Sequence, residues 1–125
     1  LFLSKVNHSE VNDYLSASDF AFATIREHPI RAYCSPIKTG EYWACGLPVL
    51  ISEGIGDDSQ VIKDTGLGAV FSLKIPQSIV EGLEKIKRLI KKAEVSNQII
   101  ELAKTHRSIE HTKNAYERLV FKDKN

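Results

Sequence analysis

The 125-residue chain contains no methionine, two cysteines, four prolines and a single tryptophan, and its uninterrupted apolar stretches are only a few residues long. Each scarcity removes a class of protein. Without a long apolar run there is no membrane span, and Leu1–Val6 is too short to be the core of a signal peptide. Cys34 and Cys45 stand eleven positions apart, with no Cys-x-x-Cys partner and no histidine at ligand spacing. Neither a disulfide framework nor a zinc site is expected, and both cysteines read as reduced, small apolar residues. Seven glycines and four prolines exclude collagen-like or linker behaviour. Methionine is missing at position 1 as well, so the chain is expected to be an excised or processed piece of a longer protein.

What is present suits a folded domain: 42% hydrophobic and 26% charged residues with a net charge of +1. A chain of this length buries roughly two-thirds of its unfolded surface, enough for one core. The expectation is a single domain over residues 1–125 in a cytoplasmic setting. The net charge hides an asymmetry. Residues 1–73 hold five Lys/Arg against nine Asp/Glu, and residues 74–125 hold twelve against seven. Lys87, Arg88, Lys91 and Lys92 interleave with apolar positions at helical spacing, as on a solvated helix face. The alternative is an electrostatic role towards an anionic membrane surface or ligand. No aromatic interleaving or binding module accompanies these cations, which argues against nucleic acid.

Periodicity divides the chain in the same place. Phe2-Leu3 with Val6 suggests a strand, and His8-Ser9 starts a helix bearing Val11, Tyr14 and Leu15. Phe20–Ala23 reads as a buried strand. Ser35-Pro36 supplies a favoured N-cap and first helical residue, for a helix from Ile37 to Cys45 that stops at Gly46. Val49-Leu50-Ile51 is continuous and β-branched, as a strand covered on both faces is. Asp57-Asp58-Ser59-Gln60 has a capping-box pattern and opens a third helix closed by Gly66, and Ala69-Val70-Phe71 is the fourth strand. The β-α-β-α-β-α-β order implies an α/β fold: a Rossmann-like parallel sheet flanked by helices. After Pro76 the helical period persists through Ile79, Leu83, Ile86 and Ile90, and two further helices carry Ile99 to Ala103 and Tyr116 to Val120. Residues 1–73 are thus βα units, and 74–125 form a helical C-terminal region.

In such sheets ligands bind beyond the carboxyl ends of the strands, at the loops Asn7–Ser9, Thr24–Ser35 and Ser52–Asp57. The middle loop is the longest and is rich in polar groups (Arg26, Glu27, His28, Arg31, Tyr33). It delivers the chain to a helix start, where free amides and the dipole favour a phosphate. Glu41, one to two turns into that helix, can reach past a phosphate to sugar hydroxyls. His8 follows the first strand and is a candidate for approach to a base. Gly54 and Gly56 are candidates for lining the ligand, and Asp57 reads as a helix cap. Trp43 and Tyr42 read as core. His106 and His111 have no acidic partners at ligand spacing, so no metal is expected.

The run Ser35-Pro36-Ile37-Lys38-Thr39-Gly40-Glu41-Tyr42-Trp43-Ala44-Cys45-Gly46-Leu47-Pro48-Val49-Leu50 resembles the donor-binding segment of retaining GT-B glycosyltransferases of the glycosyltransferase 4 (group 1) type. In bacterial polysaccharide-synthesis members that segment reads S-P-I-K-x-x-E-Y-x-A-x-G-x-P-V. The likeness extends upstream to Glu10–Asp19, a helix followed by Ala17-Ser18-Asp19, and downstream to Gly54–Asp57 and Gly66–Val70, covering about residues 1–73. It implies half of a GT-B fold that binds a nucleoside-diphosphate sugar, with no cofactor. Glu41 matches the second glutamate of the E-x7-E motif, which holds the ribose hydroxyls. Tyr33 occupies the place of the first glutamate, a departure at a residue that contacts the donor sugar. Ser35, Pro36 and Ile37 match the turn whose amides face the diphosphate, and Lys38 a phosphate-neutralising lysine.

The resemblance implies a hexosyltransferase-type enzyme of envelope or capsule polysaccharide synthesis, at or near the inner face of the membrane. Its acceptor site lies on an N-terminal domain absent here, so the fragment alone is expected to be inactive. Two alternatives stand beside it: a GT-B nucleotide-sugar epimerase, and a non-catalytic Rossmann-like module that binds a phospho-ligand or a protein.

Overall fold

A computed structural model of the chain describes residues 5–26 and 28–120. A single 3₁₀ turn, His8–Glu10, leads into α1 (Val11–Ser16) and β1 (Ala21–Ala23). A second 3₁₀ helix, Pro29–Tyr33, precedes α2 (Ile37–Ala44), β2 (Val49–Ser52), α3 (Asp58–Thr65) and β3 (Gly68–Phe71). Three helices follow: α4 (Pro76–Leu89), α5 (Val95–Arg107) and α6 (Ile109–Val120). The fold is the expected α/β class, a Rossmann-like parallel sheet flanked by helices with a helical C-terminal region.

The sheet of the described residues has three parallel strands in the order β1-β2-β3, with Phe22 opposite Leu50 and Leu50 opposite Ala69. Of the first strand expected from the sequence, Phe2 and Leu3 lie outside the described residues, and Val6 is not in a strand. β2 is central and all four of its residues are buried, which is why it reads as an unbroken apolar run. Burial of each of Val49, Leu50 and Ile51 stabilises the fold by roughly 1.5–3 kcal/mol.

Register decides which helix covers which face. Leu50 and Ala69 share one face, and α4 lies on it: a Cβ at Gly82 would come within 2.6 Å of Leu50 Cδ1 and 3.6 Å of the Ala69 Cβ. Gly68 belongs to the opposite face, where a Cβ would come within 3.1 Å of Ile62 Cγ2 of α3. The buried side of α4 is Gly82, Ile86 and Leu89. Ile90, expected from the period to lie on that side, is 43% exposed because the helix has reached its C-cap there.

α2 packs chiefly on α5. A Cβ at Gly46, just past α2, would meet Ser96 at the start of α5, and one at Gly40 would lie 3.5 Å from Arg107 Cβ at its end. The two helices therefore run antiparallel, and glycine at position 46 lets them approach closely there. α3 ends as expected at Gly66, whose φ of 70° favours glycine. Trp43 is fully buried in the core and Tyr42 packs against it. Cys34 and Cys45 are free thiols, as read from their spacing. Among the described residues no helix is long and apolar enough to cross a membrane.

Candidate functional site

The carboxyl ends of β1 and β2 are tied together before the loops begin. Ser52 is fully buried, and its hydroxyl donates to the Ile25 carbonyl (2.7 Å) and accepts from the Ile25 N–H (2.9 Å). This fixes where the long loop leaves the sheet. The long loop carries a short 3₁₀ helix that the sequence reading did not include. His28 Nδ1 accepts from Ile30 N–H (3.3 Å) and caps the Pro29–Tyr33 helix, with Pro29 in its first turn. The signal was present in His28-Pro29 but was masked by the polar residues around it.

α2 begins at Ile37, as read from the sequence, but is capped differently. Pro36 is the N-cap, with φ −66° and ψ 119°, rather than the first helical residue, and no side chain caps the helix. Ser35, expected as that cap, places its Oγ 2.6 Å from Arg107 Nη1 and accepts from it. A long-range cation has outcompeted the local N-cap bond. The first turn of α2 also contains no acidic residue. Its opening amides have no intrahelical acceptor, except that Thr39 N–H reaches the Pro36 carbonyl at 3.2 Å.

Two cavities meet at this helix start. One, of about 370 Å³, is lined by Ser35, Pro36, Ile37, Gly40, Glu41, Ala44 and Arg107. The other, of about 580 Å³, lies towards β1 and is lined by Phe22–Ile25, Ser35–Thr39 and Tyr42. Ser35, Pro36 and Ile37 line both, so the turn forms a ridge between them, with Glu41 on one side and Lys38 on the other. Ile37 and Lys38 are exposed, and Glu41 is half-buried.

The remaining sequence candidates are scattered. Tyr33 stands in solvent, 91% exposed. His8 is exposed at the start of the first 3₁₀ turn. Gly54 lines a separate cavity of about 380 Å³ with His28, Pro29, Ala32, Glu53 and Lys74. Gly56 serves loop packing. Its N–H donates to the Arg31 carbonyl (2.9 Å), its φ is 49°, and a Cβ there would collide with the Cys34 carbonyl. The 3₁₀ helix is thereby held against the β2–α3 loop. Asp57 takes the N-cap position of α3 but makes no capping bond. Its carboxylate pairs with Arg107 at 2.9 Å, so the capping box read from the sequence is not formed.

Arg107 is the residue that sequence reasoning missed. Its guanidinium contacts Ser35, Asp57 and Asp58, and its Cζ lies 5.9 Å from the centroid of the Trp43 ring. Nothing local marks it, since its partners are 49 to 72 positions away. Asp58 is fully buried beneath it. Burial pushes the Asp58 carboxyl above its ordinary value; Arg107 and the nearby Thr39 hydroxyl oppose this, and Asp57 adds to it. Trp43 Nε1 and Arg107 Nε are buried without a hydrogen-bond partner beside them. No group of three or more His, Cys, Asp or Glu among the described residues converges on a metal-sized site.

No family model, characterised protein or solved structure matches this chain.

Proposed function

We propose that the chain is the donor-binding lobe of a retaining GT-B glycosyltransferase, and that it holds a nucleoside-diphosphate sugar across the ridge at the start of α2. The observation that carries this is the uncapped helix start, with no acidic residue in its first turn, where two cavities share Ser35, Pro36 and Ile37. A diphosphate over the ridge supplies the acceptor those amides lack. Glu41 accepts from the ribose hydroxyls in one cavity, and Lys38 neutralises phosphate from the other side. The amides then stabilise the charge that develops on the departing diphosphate.

On this proposal the acceptor is bound by an opposing N-terminal lobe, and the 125 residues alone transfer no sugar. The setting is cytoplasmic envelope or capsule polysaccharide synthesis. The basic residues around Lys87, Arg88, Lys91 and Lys92 face the inner surface of the membrane.

Amide NMR titration with UDP, GDP and ADP tests this. One nucleotide should be preferred, with the largest shifts at residues 35–41; no response to any of the three contradicts it. The exposed Tyr33, in place of a carboxylate, favours a second reading: a phospho-ligand module without transfer. Such a module would bind inorganic pyrophosphate as tightly as any nucleoside diphosphate.

A further inference from the structure

We infer that Arg107 is the positioning residue of the anion seat, and that it acts by holding the Ser35 hydroxyl out of the N-cap position of α2. This rests on the reading of the α2 start as a diphosphate site. Ser-Pro is a favoured N-cap and first-turn pair, so a Ser35-capped helix that includes Pro36 is the local alternative to the observed start at Ile37. In that alternative Pro36 is helical, and Ser35 Oγ accepts from an amide of the first turn, one of those a ligand would use. The observed start differs on both counts: Pro36 has ψ 119°, and Ser35 Oγ is 2.6 Å from Arg107 Nη1.

Arg107 can win this competition because it is itself fixed. Its Nη2 is held by Asp57 at 2.9 Å and by the fully buried Asp58, and its side chain is only 22% exposed. A charge-assisted bond from a guanidinium already in place outweighs a neutral N-cap bond, which would also require Pro36 to rotate. The helix start is thus kept uncapped by a residue at the far end of α5. The loss of a local cap is the physical means by which the amides stay available to an anion.

Arg107→Lys separates this role from structural support, because lysine keeps the charge beside Asp58 but has no second nitrogen to reach Ser35. In ligand-free protein, the Pro36 Cα and carbonyl NMR shifts should move towards helical values. The Kd for inorganic pyrophosphate should rise about fivefold, the equivalent of one N-cap interaction. Adding Ser35→Ala in the Arg107→Lys background removes the competing cap and should recover most of that loss. If Arg107→Lys does not fold, Asp57→Asn, which releases an exposed arm of the clamp, should move the same shifts in the same direction and weaken pyrophosphate about twofold. Pro36 shifts that stay at their parent values in both variants overturn the inference, as does a Ser35→Ala addition that deepens the loss. Absence of pyrophosphate binding by the parent chain overturns the diphosphate reading itself, a different result from parent binding that Arg107→Lys leaves unchanged.

Discussion

Arg107 Nη1 donates to Ser35 Oγ across 2.6 Å, joining the last residue of α5 to the residue ahead of the α2 cap, 72 positions earlier in the chain. The same guanidinium neutralises Asp58, whose carboxyl is fully buried. Arg107→Ala therefore strands a buried charge and opens a gap beside Trp43. It should lower the unfolding free energy in urea by about 3–5 kcal/mol, whereas Arg107→Lys should cost well under half of that. Equal losses for the two variants would show that shape, not charge, is what Arg107 contributes.

Asp58 gives the clamp a pH signature of definite sign. Its folded pKa is raised above the ordinary 3.8, chiefly by burial. The native state therefore keeps this proton to higher pH than the unfolded chain does. The stability contributed by the group is full below about pH 3.8 and is lost as pH rises through the folded value, by about 1.4 kcal/mol for each unit of the rise. Thermal melts of the parent and of Asp58→Asn, which cannot titrate, isolate the effect. The difference between them should shift against the parent as pH increases from about 4. A parent that gains on the variant over that interval would show that Arg107 outweighs burial.

Gly56 links the two loops beneath the site through a left-handed φ of 49° and its bond to Arg31. Gly56→Ala adds a conformational cost of about 1–2 kcal/mol to a collision with the Cys34 carbonyl. A total loss of about 2 kcal/mol or more is expected in chemical denaturation, with NMR shift changes at residues 31–35. A variant within about 0.5 kcal/mol of the parent would mean that the 3₁₀ helix is not held there.

Most of the fold was legible because it is written in local patterns. The β2 run Val49-Leu50-Ile51, the Gly66 stop and the period of α4 each follow from neighbours a few residues apart. The helix caps were read least well, and for one shared reason. Ser35 and Asp57 both carry good local caps, and both are taken by a single arginine from the other end of the chain. Propensity compares a side chain with its adjacent amides and has no means of weighing a guanidinium 50 or 72 positions away. Tyr33 is a different case: its side chain stands in solvent, outside the linings of the two cavities that share the ridge.

On the proposed donor-binding reading, Glu41, in the cavity it shares with Arg107 and Ser35, holds the ribose of a nucleoside diphosphate at the α2 start. Calorimetric titration of the parent chain and of Glu41→Ala, each with the preferred nucleotide and with its 2′,3′-dideoxy analogue, tests it as a double-mutant cycle. The parent should lose about tenfold or more in affinity when the ribose hydroxyls are removed, as for hydrogen bonds to a charged acceptor. Glu41→Ala should bind both forms equally weakly. If Glu41→Ala still discriminates the two nucleotides as the parent does, Glu41 does not hold the ribose and the site is not the one described.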